Sequence, residues 1–321
     1  MNIHDFFASL PKKTYFQPLA GNHGDDLIVM GIEQLARQHK ISFSSDLESA
    51  QHILIKGGGA LLDVYPRLLN QLSEFFQKHV DTPTTFLPTS YMLHSTDMGK
   101  LVGTRSAPLH IFARETYSYD LLQQVKFDGP VTISMEHDTA FHLAGTPFIQ
   151  NLKDTAEKEH VLIVERIDPE ALNNQQAFVS NPSLSKKLEN AFKKMFPSSS
   201  QRIKSVSRKV AQATSSAEKT RFARQAREQI YSDYPEFKDL PVKALDVSSA
   251  KCCDSMEEFS KMIGNSAAVF SSRLHVGILA AMLDIPTYVV EGVYHKIRGI
   301  YEYSMVDMPH VQLIPRSESV S

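Results

Sequence analysis

Short, nearly continuous apolar runs alternate with stretches of helical period along this chain, and that alternation constrains its fold more than any other feature. His52-Ile53-Leu54-Ile55, Leu109-His110-Ile111-Phe112-Ala113 and His160-Val161-Leu162-Ile163-Val164 carry no regular polar alternation. A strand reads this way when both of its faces are covered, whereas a strand with one wet face alternates with period two. Thr14-Tyr15-Phe16, Thr84 to Pro88, Val131 to Ser134, Val242 to Asp246, Ala267 to Phe270 and Pro286 to Val290 are further strand candidates. Helical patterns fall between them. Leu27, Ile28, Ile32, Leu35 and Ala36 share one side of a helix, a second helix runs from Arg114-Glu115 through Leu122, and a third runs from about Leu274 to Leu283. Ser255 with Glu258 three residues on has the form of a capping box. Strands alternating with helices predict an α/β fold of doubly wound parallel sheets. The pattern breaks near Ala144-Gly145-Thr146-Pro147, which places a boundary in residues 145–158 and divides the chain into Rossmann-like units at 1–150 and 151–321.

Composition narrows the function classes. Hydrophobic residues make up 42% and charged residues 22%, the balance of a core-forming chain. The formal net charge of −2 supplies no global basic field, so nucleic acid is not an expected partner. Cys252 and Cys253 are adjacent, a poor arrangement for a structural disulfide and a fit to a reducing cytoplasmic setting. The first residues lack the basic segment and long apolar stretch of a secretion leader. No apolar run reaches the length of about 18 residues that a spanning helix needs, which leaves peripheral membrane contact open. From Asn181 to about Arg227 the chain is polar and basic, with Lys186, Lys187, Lys193, Lys194, Arg202, Lys204, Arg208 and Lys209. Solvated helix faces are the favoured reading of such a run, ahead of a surface for anionic glycan or lipid. Ser215 to Glu218 reads as a helix cap.

Four clusters sit at or near predicted strand ends, the edge where open α/β sheets bind ligands. The run Ser272-Arg273-Leu274-His275, with Lys296 beyond the next strand, puts cationic and proton-carrying side chains at a helix start capped by Ser271 or Ser272. His275 has an unperturbed pKa near neutrality and can both give and take a proton. Gly21-Asn22-His23-Gly24-Asp25 precedes another helix. Asp26 is expected to serve the helix dipole, and Asp25 stands between that role and general base. Gly57-Gly58-Gly59 is a tight turn with room for a ligand against bare backbone, without the lysine and hydroxyl of a Walker loop. Arg114-Glu115 with Ser118 offers a guanidinium for a carboxylate or phosphate, or a structural pair with Glu115 or Asp120. Glu302 would close the site or pair with a cation. His137, Asp138 and His142 lack a second set at ligand spacing, so no metal is expected. The chain has no Gly-x-Ser-x-Gly elbow, which argues against serine hydrolase chemistry.

In order, Gly21-Asn22-x-Gly24-Asp25, Gly57-Gly58-Gly59, Arg114-Glu115-x-x-Ser118, Glu136-His137-Asp138-x-Ala140-Phe141-x-Leu143, Arg166-x-Asp168 and Ser272-Arg273-Leu274-His275…Pro286…Lys296 resemble the motifs of the polysaccharide pyruvyltransferases. The likeness runs from about residue 15 to 305. Two motifs depart from the family pattern: Glu115 stands where an aspartate is usual, and His137 where a proline usually precedes the aspartate. The resemblance implies two doubly wound domains facing a cleft, as in the glycosyltransferase-B arrangement. It implies transfer of pyruvate from phosphoenolpyruvate to two hydroxyls of a sugar, forming a ketal, with no cofactor beyond that donor. The acceptor would be a saccharide, free or lipid-linked, on the side of residues 1–150, with the donor on the side of 151–321. His275 would be the acid, Asp25 the base, and Arg273 would act with them. Arg114, Lys296, Asn22, Gly24, Gly58, Gly59, Ser118, Asp138, Ser272 and Leu274 would contact substrates. A nucleotide-sugar glycosyltransferase and a non-catalytic glycan-binding protein are the alternatives, since one fold hosts many functions.

Overall fold

The computed structural model describes residues 1–166, 220–248 and 252–316. Asp168, the Ser215–Glu218 cap and most of the basic run from Asn181 lie outside the described residues.

Two parallel sheets form the frame. The first contains β1 (Thr14–Gln17), β2 (His52–Ile55), β3 (Gly58–Leu62), β4 (Thr84–Met92), β5 (Leu109–Ala113) and β6 (Val131–Met135). Its order is β1-β2-β4-β5-β6, with β3 also paired to β4. The second contains β7 (His160–Val164), β8 (Val242–Ala244), β9 (Ser266–Ser271), β10 (Thr287–Val290) and β11 (Val311–Ile314), in the order β11-β10-β9-β7-β8. Every paired strand is parallel, for example Leu54 beside Thr85 and Val289 beside Ser271. β4 runs past Pro88, farther than the sequence pattern predicts. A register shift between Phe86 and Thr89 accommodates the residue that has no N–H to give.

Helices cover the sheets. After the short N-terminal helix α1 (Ile3–Ala8) come α2 (His23–Gln38), α3 (Pro66–Lys78), α4 (Met98–Val102), α5 (Thr116–Gln123) and α6 (Pro147–Asp154). Beyond β7 lie α7 (Arg221–Asp233), α8 (Met256–Gly264), α9 (Leu274–Met282) and α10 (Lys296–Ile300). Ser255 caps α8 as the sequence suggests, its Oγ accepting from Glu258 N–H at 3.1 Å. The Glu258 carboxylate, however, accepts from Asp254 N–H at 2.7 Å, one residue earlier than a capping box requires. Among the described residues no helix is long and apolar enough to cross a membrane.

One apolar core joins the two sheets. Leu27 of α2, Ala140 and Leu143 of a short 3-10 helix (Thr139–Leu143), Phe259 and Ile263 of α8, and Leu274 and Ile278 of α9 belong to a single buried cluster. At about 1.5–3 kcal/mol for each fully buried large aliphatic or aromatic side chain, that cluster is the main force holding α2 against α9. It holds the C-terminal ends of both sheets around a common space.

Candidate functional site

The first wall comes from the start of α2. Asn22 is the N-cap: its Oδ1 accepts from Gly24 N–H at 2.8 Å, while Asp25 Oδ2 accepts from Asn22 N–H at 3.0 Å. This reciprocal pair explains the Asn-x-Gly-Asp spacing. The other Asp25 oxygen accepts from Lys56 Nζ at 2.8 Å. Lys56 directly follows β2 and is almost fully buried. Burial pushes the Asp25 carboxyl up, and Lys56, His275 and the hydrogen bonds together outweigh it, so the group lies below its usual range and is ionised.

The second wall is a buried chain that spans both sheets. Arg114, directly after β5, donates from Nη1 to Asp138 Oδ2 at 2.6 Å and from Nε to Ser90 Oγ at 2.9 Å. His275, in the first turn of α9, places Nε2 3.3 Å from the same Asp138 oxygen. Asp138 Oδ1 accepts from Ala140 N–H at 2.9 Å, capping the 3-10 helix. Burial alone would raise the Asp138 pKa, but His275 and Arg114 drive it far below the carboxylate range. Because Asp138 accepts at Nε2, the proton is assigned there and Nδ1 is turned toward Gly24. Any side chain at Gly24 would strike this ring, since a Cβ there would sit 2.9 Å from Nδ1.

Arg273 is the N-cap of α9, and its guanidinium pairs with Asp246, with Nε 3.2 Å from Oδ1. Neither serine before it caps the helix. Ser271 Oγ instead accepts from Arg273 N–H at 2.9 Å, and Ser272 Oγ accepts from Arg166 N–H at 2.8 Å, tying the end of β7 to the β9–α9 turn. Lys296 opens α10 with Nζ 5.2 Å from the centre of the Tyr294 ring. Opposite it lies Gly59, where a Cβ would stand 3.8 Å from Lys296 Nζ and 3.9 Å from Arg114 Nη2. The missing side chain leaves bare backbone facing two cations.

These walls enclose a cavity of about 310 Å³, inside the range of about 300–1,000 Å³ usual for small-molecule sites. Among the described residues, five cationic side chains (Lys56, Arg114, Arg166, Arg273 and Lys296) and one carboxylate, Asp25, line it with His275. Lys56, Arg114, Arg166 and Arg273 stand just past the C-terminal ends of β2, β5, β7 and β9, and Lys296 opens the helix that follows β10, so both sheets contribute.

Of the residues singled out from sequence, His275, Arg273, Asp25, Arg114, Lys296, Asn22, Gly24, Gly59 and Leu274 line the cavity. Four do not. Gly58 turns the chain at φ +101°, a conformation that favours glycine, and a Cβ there would point at Ile28. Ser118 is fully buried, and its Oγ accepts from Tyr91 N–H at 2.7 Å, fastening α5 to β4. Asp138 is fully buried behind Arg114 and His275. Ser272 lines a neighbouring cavity instead. Arg114 pairs with Asp138 rather than with Glu115 or Asp120, and Glu302 pairs with Arg298 at 3.4 Å. Lys56 was missed: a single lysine at the end of an apolar run, next to three glycines, is the signal that marks it. His137 bonds Ser304 Oγ at 2.8 Å, and among the described residues no group of three or more ligating side chains is arranged for a metal.

A sequence profile for polysaccharide pyruvyl transferases matches residues 22–292. The chain belongs to the polysaccharide pyruvyl transferase family. The segment matched to this pyruvyl transferase profile holds Asn22, Arg114, Asp138, Arg273 and His275, and it ends short of Lys296. No curated protein sequence matches the chain. Among solved structures, an uncharacterized protein from Klebsiella pneumoniae is similar in fold, with a TM-score of 0.58 at 14% identity, over 97% of this chain and 95% of that one.

Proposed function

We propose that this family member transfers pyruvate from phosphoenolpyruvate to two hydroxyls of a sugar in a polysaccharide or oligosaccharide precursor, releasing phosphate, in the cytoplasm. The observation that carries the reading is the convergence of five cations from the strand ends of both sheets on one small cavity beside the His275–Asp138 pair. Phosphoenolpyruvate bears a phosphate and a carboxylate on three carbons, and such a ligand needs several cations at close quarters. We take the two sheets as two doubly wound units in a glycosyltransferase-B-like arrangement, divided at residues 145–158, with the donor nearer the second unit and the acceptor nearer the first.

Arg114 and Arg273 take one anionic end of the donor each, with Lys296 beside them. His275 acts as the imidazolium: Asp138 holds its Nε2–H, and the proton on Nδ1 passes to the enol carbon C3, which makes C2 electrophilic. A sugar hydroxyl attacks C2, phosphate leaves, and the second hydroxyl closes the ketal. Of the two hydroxyl protons, one replaces the proton given to C3 and the other leaves with phosphate. Asp25 is the ionised carboxylate on the wall and receives the hydroxyl proton. Its low basicity suffices because a cationic C2 needs little help from a base. The cations also meet the growing charge of the leaving phosphate, and loss of one such preorganised contact costs about 10²–10³ in rate.

The test is phosphate release from phosphoenolpyruvate with a panel of glycosides, read with the mass gain of a pyruvyl ketal. Arg273→Ala, His275→Ala and Lys296→Ala are each expected to lose about 10² or more in rate. Full activity in all three overturns the assignment. Calorimetric binding of a nucleoside diphosphate in place of phosphoenolpyruvate would favour the glycosyltransferase alternative.

A further inference from the structure

A second, larger cavity of about 760 Å³ adjoins the first. Leu19, Ala20, Tyr65 and Leu68 line both, so the two cavities are neighbours with a common wall. The chemistry changes across that shared wall. The donor cavity is crowded with cations, whereas among the described residues Arg67 is the sole charged one lining the second, and none of them is a carboxylate. Its outer wall is one face of α3, where Leu68, Leu72 and Phe75 recur at the spacing of a helix stripe and extend over about 10 Å of helix axis. Gln71 sits on the same helix, and Gln17 faces it from the end of β1.

We propose that this groove is a glycan subsite, which holds the sugar residue adjoining the one that is pyruvylated, so that the acceptor is an oligosaccharide rather than a single sugar. The inference rests on the pyruvyl transfer proposed above. A sugar ring presents an apolar face and a rim of hydroxyls. Tyr65 and Phe75 match the face, and the Gln17 and Gln71 amides with Arg67 match the rim. The reacting hydroxyl pair must enter the cationic cavity, and the groove is the neighbouring space on the other side of Tyr65 and Leu68. Its wall runs for about 10 Å along α3, longer than one sugar ring.

The experiment compares three acceptor probes of the same hexose: the methyl glycoside, the corresponding disaccharide and the octyl glycoside. The disaccharide is expected to exceed the methyl glycoside in kcat/KM by about tenfold or more, equivalent to about 1.4 kcal/mol. Gln71→Ala and Phe75→Ala should bring that ratio toward one through the KM for the disaccharide rather than kcat. The chain contains no tryptophan, so Phe75→Trp installs a single reporter on the groove wall. Its emission should shift on saturation with the disaccharide and not with the methyl glycoside. Equal kcat/KM for methyl glycoside and disaccharide overturns the subsite, as does a preference and emission shift that follow the octyl tail, which would mark a lipid groove. Absence of phosphate release with every probe would instead overturn the transfer reaction itself.

Discussion

Asp138 does not line the cationic cavity, yet it joins two groups that do. One carboxylate oxygen takes Arg114 from the first sheet and His275 from the second, and the other caps the 3-10 helix that follows. Arg114 and Asp138 are both almost fully buried, so neither charge has water to fall back on. Removing one charge of such a pair costs about 3–5 kcal/mol, because the other is left buried without compensation. Asp138→Asn keeps the shape and loses the charge. Its expected signature is a fall in the urea midpoint matching that cost, together with a drop of about 10² or more in phosphate release as His275 loses its orienting anion. A variant with the stability and rate of the parent would show that this pair does not hold the site together. Asp138 also shows how far residue-level reading reaches. Its place in a motif was legible, but whether a motif residue touches the ligand or stands behind one that does depends on side-chain direction, which spacing does not encode. Ser118 and Ser272 differ from expectation for the same reason: their hydroxyls are taken up by backbone N–H groups.

At the scale of elements, burial of histidine sets a pH dependence. His52 and His110 lie beneath the N-terminal helix, where Phe6 packs on both rings, and each bonds a hydroxyl, Thr85 Oγ1 at 2.9 Å and Ser134 Oγ at 3.0 Å. His160 bonds the Met262 carbonyl at 3.0 Å, and His142 lies in the 3-10 helix. Burial, more than neighbouring charge, pushes all four down to about 4. An unfolded chain protonates these groups near 6.5, so between about 6.5 and 4 the unfolded state binds more protons. Stability therefore falls as pH drops through that window and loses nothing further to these groups below it. The lowered Asp25 and Asp138 act only below the unfolded aspartate value of about 3.9. Thermal unfolding is expected at a lower temperature at pH 4.5 than at pH 7, with part of the difference removed in His52→Gln. Equal midpoints at the two pH values would mean these rings are accessible to water. Elements with strong local signals were legible: the continuous apolar runs of β2, β5, β7 and β10 could be little else. β3 was not, because two of its five residues, Gly58 and Gly59, have no side chain to signal a strand. α3 went unread although Pro66 marks its first turn, and with it went the wall of the second cavity.

For the whole molecule, the parallel topology carries the function. Parallel strands end together, so loops far apart in sequence deliver their charges to one place. The shared core of α2, the 3-10 helix, α8 and α9 then holds the two sets of strand ends face to face. Alternation of strand and helix made the two sheets legible, but that the apolar core is continuous between them was not, since no local pattern says which helix face meets which. The central claim is that a donor with two anionic ends is gripped from both sheets at once. The crystal structure of the protein with phosphoenolpyruvate tests this most directly. The account predicts the donor between Gly59 and His275, with the Arg114 guanidinium on one anionic end and Arg273 on the other. A donor bound outside this cavity, or held by residues of one sheet alone, would contradict it.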